Sequence, residues 1–477
     1  MGMIALIVWR LTATMADPDL WGYLSFGRLF WNHTGFPYHD VFSYTPVKKL
    51  WVYHEWLTGV LFYPIYDSLG ATGLQGLKYI LGLGTAALIF KTARIRGAST
   101  PASVIGLLLI TPFFSFAYSP VRAQVFTNLL FVVTLYILEY SKQSKHTRYL
   151  WVFPPLFLLW ANLHGGFLAG LGVMGLFAIG ESARGQRVLP YWLVLAPTVL
   201  ITLINPYGLQ YWVYLKDALM MPRPEINEWN SIFLARQNGE FSTNILMFII
   251  LVVLTLLMLL TSRNRVFSDI LLLMTTALLA FQHVRHQSMF FLVMGCCGPL
   301  YFTEAWNLIR QTAARTVRRQ KTIHAVVLIF FISLFIYSCS GFFVAQPFNL
   351  TLHNASAKEM ADYNYPVGAV EFIRKNSLNG NILTEFSWGE YIIWNLPESR
   401  VAMDGRYETL YTDQAAREYF EFTKGNIGWR DYLYKYPHEM ILFRPDSIVS
   451  HLLHAELRWS VIYADADCAL FFRKKVP

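Results

Sequence analysis

The sequence predicts a polytopic α-helical membrane protein with about eleven transmembrane helices, followed by a small α/β domain. Hydrophobic residues make up 55% of the 477 residues and charged residues only 14%, against roughly 25% charged residues in soluble domains. Apolar runs separated by short gaps fill the chain up to residue 345, and charges become frequent after it. The net charge of +9 does not indicate nucleic-acid binding, because most basic residues lie in the gaps between apolar runs.

The transmembrane helices are predicted from the apolar runs themselves. Several runs are shorter than the ~20 residues of a straight span, so their ends are approximate. The first run is interpreted as an uncleaved helix. The runs cover residues 3–16, 73–90, 102–118, 125–140, 150–162, 167–180, 190–204, 243–261, 267–281, 288–303 and 323–345.

The basic gaps decide the predicted orientation, because Lys and Arg are enriched in cytoplasmic loops. Placing the basic gaps in the cytoplasm puts the N-terminus inside and the C-terminus outside. Two long outer loops then follow, at residues 17–72 and 205–242. The apolar segment 56–69 contains Pro64 and Asp67 and is interpreted as a helix on the membrane surface. The basic gaps lie at residues 91–96, 142–148, 184–187, 263–265 and 310–321.

The predicted domains are a transmembrane domain at residues 1–345 and an extracytoplasmic α/β domain at residues 346–477. The four cysteines have no CxxC or metal-site spacing, so no disulfide is implied. Strands are predicted at Asn381–Phe386, Tyr391–Trp394, Arg400–Met403, Glu439–Phe443, Val461–Ala464 and Ala469–Arg473. Helices are predicted at Pro366–Asn376, Asp413–Phe422 and Ser447–Leu457.

An acidic motif, Asp17-Pro18-Asp19-Leu20-Trp21, follows the first helix. Two carboxylates at the membrane surface can act as a general base or hold a cation. The alternative is that Asp19 only caps the next helix. The same loop carries three further candidates, which either line a cleft or merely fold the loop. These are Asp40, His54 and Glu55.

Basic and polar side chains also occur at the predicted outer helix ends, where cations are otherwise rare. Cations at such positions usually bind anions, and a phosphate at the membrane surface fits. The alternative is that they pair with Asp17, Asp19 or Glu55. The candidates are Arg122 with Gln124, Asn162 with His164, and Arg285 with His286.

Two motifs of the tail are interpreted mainly as structural. Asp404-Gly405-Arg406 after a predicted strand is typical of a tight turn, and Trp388-Gly389-Glu390-Tyr391 precedes it. Contact with a substrate is the alternative for both. The sequence contains no Walker loop, no dinucleotide fingerprint between a predicted strand and a helix, and no GxSxG motif, so it offers no recognisable site for a soluble nucleotide.

This layout resembles the GT-C superfamily of polytopic glycosyltransferases, which includes protein O-mannosyltransferases and aminoarabinose transferases. The likeness rests on a short first helix followed by Asp17-Pro18-Asp19, and on a long outer loop whose surface helix begins near His54-Glu55-Trp56-Leu57. The likeness also includes further helices with polar outer ends and an outer soluble domain. The motifs Asn162-Leu163-His164-Gly165-Gly166 and Asp404-Gly405-Arg406 are most similar to an uncharacterised bacterial branch.

The resemblance implies transfer of a sugar from a polyprenyl-phosphate donor to a glycan, lipid or protein acceptor at the outer face of the plasma (inner) membrane. It makes Asp17 or Asp19 the general base. We prefer Asp19, because the proline makes the two side chains point differently and Asp19 lies further from the apolar helix, and Glu55 is the next candidate. The basic cluster then contacts the lipid phosphate. Some relatives use a divalent cation such as Mg²⁺ or Mn²⁺ and others do not, and Asp17 and Asp19 are the candidate ligands. Here a proline separates two aspartates, whereas mannosyltransferases have an Asp-Glu pair.

The alternative function is a non-catalytic membrane subunit, or a protein that binds or translocates a lipid-linked glycan on the same scaffold. Loss of turnover with retained lipid binding after substitution of Asp17 and Asp19 favours the enzyme. Unchanged function after the same substitutions favours the alternative.

The orientation is tested by single-cysteine labelling after the native cysteines are replaced. Because of the Lys and Arg distribution, we expect Ser144 and Thr316 to be labelled only from the cytoplasm. Asn32, Asn238 and Ser399 should be labelled from outside. Labelling of both Ser144 and Thr316 from outside contradicts the orientation.

Overall fold

The computed structural model describes residues 2–12, 16–33, 35–118, 121–221, 223, 226–238, 243–313, 332–333, 336–337, 340 and 365–474. The chain divides into two compact units. The helical unit comprises Met1–Thr14, Ala71–Asn205 and Pro222–Leu350. The mixed unit comprises Met15–Gly70, Pro206–Met221 and Thr351–Pro477.

Helices dominate the chain before the tail. Each predicted apolar run between residues 73 and 303 overlaps a helix, which confirms the predicted helical class. The run at 323–345 lies almost entirely outside the described residues. The helices are α1 Gly2–Arg10, α2 Pro18–Asn32, α3 Trp56–Ile95, α4 Thr100–Tyr118, α5 Gln124–Ser144, α6 Phe153–Leu163, α7 Phe167–Ser182, α8 Leu189–Ile201, α9 Leu209–Met220, α10 Ile232–Gln237, α11 Thr243–Thr261, α12 Phe267–Gln282 and α13 Gln287–Ala313.

Part of the predicted transmembrane set has the length and composition of spanning helices. In the described part of the chain, four helices are long and apolar enough to cross a membrane: Trp56–Ile95, Thr100–Tyr118, Gln124–Ser144 and Val284–Asn307. Four shorter apolar helices lie at Phe167–Ser182, Leu189–Ile201, Ile245–Thr261 and Phe267–Gln282. The total of about eleven spans and their orientation stay predictions.

Helix α3 contains a break that coincides with the end of a segment of the mixed unit. The backbone at Gly70 has φ 61° and ψ −154°, a region in which only glycine is comfortable. The residues before the break form the predicted helix at 56–69, and its place on a membrane surface stays a prediction. The boundary predicted near residue 345 lies outside the described residues.

A buried ion-pair network ties the helical unit together at one end of its helices. Arg96, directly after α3, donates to Glu139 on α5 and to Asp269 on α12. Tyr301 on α13 donates to Asp269 at 2.8 Å. Buried charges are tolerated only when they are paired and hydrogen-bonded, so this network constrains how the four helices pack.

The tail forms a small α/β fold. Its sheet has the order β1-β2-β4-β3, in which β1 and β2 are parallel and the other pairs antiparallel. The elements are α14 Val367–Lys375, β1 Ile382–Thr384, α15 Gly389–Asn395, α16 Tyr407–Leu410, α17 Asp413–Thr423, α18 Trp429–Lys435, β2 Met440–Phe443, α19 Ile448–His454, β3 Trp459–Ala464 and β4 Ala469–Arg473.

Two strand predictions differ from the structure. Tyr391–Trp394 is wrong as a strand, because it lies in α15. Its aromatic and β-branched residues suit a strand, but residues 389–393 are all buried, which removes the alternating pattern of a half-buried strand. Arg400–Met403 is reduced to single bridges of Val401 to Ile382 and Ser43. Ser399 is only 4% exposed, so the exposed Glu398 is the better position for a label.

Helix α2 packs on α15 within the mixed unit. Trp21 meets Tyr391 edge-on with ring centroids 5.4 Å apart. At the other end of the pair, Arg28 donates to the carbonyl oxygens of Ile393 and Trp394 at 3.1 and 3.0 Å. These carbonyls end a helix and attract a cation. The start of the long first loop is therefore part of the core that surrounds α15.

Arg406 is the charged centre of this unit and is 3% exposed. Its guanidinium donates to both carboxylate oxygens of Asp404, at 2.9 and 2.5 Å, and to Asp40. It also lies over the rings of Phe42 and Trp51, about 5 Å from each centroid. The predicted turn at Asp404-Gly405-Arg406 is confirmed, because Asp404 also accepts a hydrogen bond from the Arg406 backbone N–H at 3.0 Å.

Removal of the Arg406 side chain should destabilise the mixed unit strongly. Arg406→Ala leaves Asp40 and Asp404 buried without their cation, which typically costs about 3–5 kcal/mol. Thermal unfolding in detergent measures the loss. The exposed Arg400 provides the matched control, and Arg400→Ala should melt like the wild type. Equal melting of both variants contradicts the role given to Arg406.

Candidate active site

Asp17 and Asp19 lie at the start of α2 with different surroundings. Asp17 caps the helix, because its Oδ1 accepts from the Asp19 backbone N–H at 3.1 Å, and Pro18 occupies the first helical position. Asp17 is 4% exposed, whereas Asp19 is partly exposed. The alternative in which Asp19 caps the helix is therefore wrong, since Asp17 does so. Asp19 is the more accessible carboxyl group of the two.

A third carboxyl group, that of Glu390 on α15, lies beside Asp19. A Cβ atom added to Gly405 would lie 3.2 Å from both Asp19 Oδ1 and Glu390 Oε1. A Cβ atom on Gly22 of α2 would lie 2.6 Å from the Glu390 carboxyl. The two glycines thus make room for a pair of carboxyl groups at the start of α2.

Glu390 is electrostatically unlike an ordinary surface carboxylate. It is 3% exposed. Burial, together with the negative charges of Asp19 and Asp404, raises the pKa of Glu390 well above its ordinary value. Such surroundings favour the protonated form of a carboxyl group, which can donate a hydrogen bond.

Asp40 folds the first loop. It accepts from the backbone N–H groups of Phe42 and Ser43 at 3.2 and 2.8 Å and pairs with Arg406. Burial alone would raise the pKa of Asp40, but the Arg406 guanidinium outweighs it, and the pKa lies below its usual value. Of the two interpretations of Asp40, these contacts support the one in which it folds the loop.

His54 and Glu55 are joined to two tyrosines of the mixed unit. Tyr23 on α2 donates its hydroxyl proton to Glu55 Oε2 at 2.8 Å. The hydroxyl group of Tyr214 on α9 lies 3.2 Å from His54 Nδ1, and His54 Nε2 lies 3.6 Å from Glu55 Oε1. These bonds connect α2, the start of α3 and α9.

In the helical unit, Arg122 and Arg285 share one carboxylate that sequence reasoning missed. Glu228 Oε2 lies 3.2 Å from Arg122, and Glu228 Oε1 lies 3.1 Å from Arg285. Burial alone would raise the pKa of Glu228, but Arg285 and Arg122 lower it to about 2. The two guanidinium groups therefore converge around one anionic group, and Gln124 begins α5 beside Arg122.

The indole ring of Trp229 supports this cluster. Arg285 and Arg223 each lie over it, with the guanidinium carbon 4.5 and 4.3 Å from the ring centroid. His286 meets the ring edge-on at 6.0 Å. His283 Nδ1 donates to the Trp229 carbonyl oxygen at 2.6 Å, which holds residues 227–229 against residues 283–286.

His164 and Asn162 stabilise the turn between α6 and α7. His164 Nδ1 accepts from the Gly166 backbone N–H at 2.8 Å and lies 2.8 Å from the Thr127 hydroxyl group. Asn162 donates to the carbonyl oxygens of Leu158 and Ile204 at 2.8 and 3.0 Å. These contacts favour a structural role, and contact of either residue with a phosphate stays a prediction.

A metal site would need several ligands close together. Across the residues that the structure describes, no group of three or more His, Cys, Asp or Glu side chains is arranged to hold a metal ion. Asp17 already serves as a helix cap, and Glu390 is too deeply buried beside Asp19 to be an easily charged ligand. The described residues therefore give no firm support to a divalent cation.

Comparison with known proteins identifies the fold. No protein-family model matches the chain, and no curated protein matches it in sequence. ArnT from Cupriavidus metallidurans, in a crystal structure bound to undecaprenyl phosphate, has 15% identity and a TM-score of 0.54. The likeness covers 98% of this chain and 96% of ArnT.

A second solved structure is similar over most of the chain. The oligosaccharyltransferase of Archaeoglobus fulgidus, tethered to an acceptor peptide with the NVT sequon, has 12% identity and a TM-score of 0.56. The likeness covers 92% of this chain and 68% of that protein. The chain therefore has the fold of ArnT and of this oligosaccharyltransferase, as the resemblance seen in its sequence implied.

Proposed function

We propose that this protein is a membrane glycosyltransferase that moves a sugar from a polyprenyl-phosphate donor to an acceptor outside the cytoplasm. In this proposal the N-terminus lies in the cytoplasm, and the C-terminal domain lies outside the plasma (inner) membrane. The acceptor is a glycan, a lipid or a protein. The observation that carries the proposal is the likeness, over nearly the whole of both chains, to an enzyme bound to undecaprenyl phosphate.

The reaction requires an acceptor hydroxyl or amine to attack the anomeric carbon of the sugar. For a hydroxyl acceptor, its oxygen forms a bond to that carbon while the bond from the carbon to the phosphate oxygen breaks. The bonding electron pair leaves with the phosphate, and the hydroxyl proton passes to a base. A positioned base typically contributes 10²–10⁴-fold.

Asp19 is the proposed base. It is the more exposed of the two carboxyl groups in the acidic motif, and it lies on the first turn of a helix that is packed against α15. Asp17 is the second candidate, but its carboxylate already accepts the capping hydrogen bond. Glu55 is the third, and Tyr23 donates to it.

Arg122 and Arg285 are the proposed phosphate contacts, with His286 beside them. A leaving phosphate gains negative charge, which two converging guanidinium groups stabilise. Glu228 now occupies the space between them. A phosphate must therefore displace or share this carboxylate, so the net affinity reflects a competition between two anions.

No step of this proposal uses a metal ion. A structure of the Archaeoglobus fulgidus oligosaccharyltransferase contains Zn and sulfate. For this chain, the prediction of an Mg²⁺ or Mn²⁺ ion at Asp17 and Asp19 rests on the family resemblance alone. If a cation binds there, addition of a chelator should lower the transfer rate.

Replacement of Asp19 by Asn tests the base. Asn keeps the shape of the side chain but cannot accept the proton, so turnover should fall at least about tenfold while donor binding stays near normal. The assay is sugar transfer in reconstituted vesicles. The exposed Asp67 of the same loop provides the control, and Asp67→Asn should transfer at the wild-type rate. If neither Asp19→Asn nor Asp17→Asn lowers transfer, the assignment of the base to the acidic motif is wrong, and Glu55 becomes the next candidate.

Replacement of Arg285 by Ala tests the phosphate contact. Loss of one charge-assisted hydrogen bond should weaken donor binding by about 1–3 kcal/mol. Binding of a polyprenyl-phosphate lipid in detergent gives the measurement. Arg236→Ala removes an exposed arginine of the same unit and should leave binding unchanged. Equal affinity in the wild type and both variants contradicts the assignment.

A further inference from the structure

Glu228 contacts two arginines with the geometry of a bound phosphate. Its Oε2 atom lies 3.2 Å from Arg122, and its Oε1 atom lies 3.1 Å from Arg285. A phosphate group can bridge two guanidinium groups in the same way, with one oxygen on each. The side chains of Arg122, Arg285 and Glu228 are 24%, 28% and 28% exposed, so a ligand can reach all three.

Two hydrogen bonds hold the backbone that follows Glu228 beside one of these arginines. His283 Nδ1 donates to the Trp229 carbonyl oxygen at 2.6 Å, and the Val284 backbone N–H donates to the Asn230 carbonyl oxygen at 3.0 Å. A phosphate can therefore enter when only the side chain of Glu228 turns away. The carboxylate then stays tethered close to the arginines, at a high effective concentration.

Sugar transfer changes the charge of the lipid phosphate. In the donor the phosphate is a diester, because it links the lipid to the sugar, and it carries a single negative charge. When the bond from the anomeric carbon to the phosphate oxygen breaks, the electron pair stays on that oxygen and the product is a monoester. A phosphate monoester carries a charge of about −1.5 to −2 at pH 7. By themselves, the two arginines would therefore bind the product more tightly than the donor, which would slow its release.

We propose that Glu228 is a tethered counter-ion that lowers the affinity of this site for the spent lipid phosphate more than for the donor, and so speeds release of the product. This inference rests on the proposed transfer reaction. The carboxylate competes with either phosphate for Arg122 and Arg285, and it then repels the bound phosphate in proportion to the charge of that phosphate. Glu228 is ionised at neutral pH, because Arg285 and Arg122 lower its pKa to about 2.

The sign of the effect separates this role from a structural one. If Glu228 only held the two arginines in place, its removal would weaken phosphate binding. A counter-ion opposes phosphate binding, so its removal should tighten it. Doubling the charge of the ligand doubles the energy of repulsion, which squares the corresponding factor in affinity. A gain of about threefold for a diester, as expected of a partly exposed ion pair, therefore becomes about tenfold for a monoester.

Binding of two lipids to the purified full-length protein in detergent tests the proposal without a transfer assay. The probes are a polyprenyl phosphate and its methyl ester, which carries less negative charge. Glu228→Gln should bind the phosphate about tenfold and the ester about threefold more tightly than the wild type does. The exposed Asp217 of the same predicted outer loop provides the control, and Asp217→Asn should bind both lipids like the wild type. Weaker binding by Glu228→Gln, an equal gain for both lipids, or no binding of either lipid to either protein overturns the proposal.

Glu228→Asp provides a second variant, because it keeps the negative charge and shortens the side chain by a methylene group. Its ion pairs with the two arginines should be weaker, so both lipids should bind about twofold more tightly than in the wild type, and to the same extent. Weaker binding of either lipid to Glu228→Asp contradicts the proposal, even where Glu228→Gln does not fold.

Product inhibition tests the same residue in the working enzyme. In reconstituted vesicles, added polyprenyl phosphate should inhibit Glu228→Gln at an about tenfold lower concentration than it inhibits the wild type. Slow product release should also give this variant a rapid first turnover followed by a slower steady rate. Equal inhibition of two proteins that both transfer sugar overturns the proposal and leaves the proposed function standing. If the wild type transfers no sugar at all, the proposed function fails, and the two lipid affinities still decide whether Glu228 acts as a counter-ion.

Discussion

The buried ion pairs of Arg406 are the interaction on which the arrangement of Asp19 and Glu390 depends. Arg406 holds Asp404 on its own turn and Asp40 on the first loop. The same turn places Gly405 next to Asp19 and Glu390. One guanidinium group thus fixes the backbone against which the two carboxyl groups pack. Arg406 also lowers the pKa of Glu390, but burial and the carboxylates of Asp19 and Asp404 outweigh it.

Glu228 and Glu390 show how surroundings decide the charge of one residue type. Burial disfavours the ionised form of both. At Glu228 two arginines outweigh burial and lower the pKa to about 2. At Glu390 the neighbouring carboxylates add to burial and raise the pKa. Two arginines favour the charged form of Glu228, whereas burial and nearby carboxylates favour the protonated form of Glu390. In the proposed reaction the phosphate would need cations and the acceptor would need a base.

The fold was largely predictable from local patterns, and the carboxyl pairs were not. Apolar runs and basic gaps predicted the helices, and turn chemistry predicted Asp404-Gly405-Arg406. The acidic motif was also visible because Asp17 and Asp19 are close in sequence. Glu390, which lies beside Asp19, comes from a helix that is distant in sequence. The residues that follow Glu390 have the composition of a strand, and only the structure shows that residues 389–393 are all buried. Glu228 carried no signal apart from being an acid in the second outer loop, since its two arginines come from distant positions. Long-range pairing depends on tertiary packing, which a single sequence does not display.

Native mass spectrometry of the protein purified with its own lipids tests the central claim most directly. The account predicts a bound polyprenyl phosphate, with the sugar still attached in Asp19→Asn and released from the wild type after acceptor is added. Retention of the same sugar-bearing lipid by both proteins in the presence of acceptor would indicate binding without transfer. Purification of both proteins without any polyprenyl lipid, and failure of added polyprenyl-phosphate sugar to bind, would contradict the account.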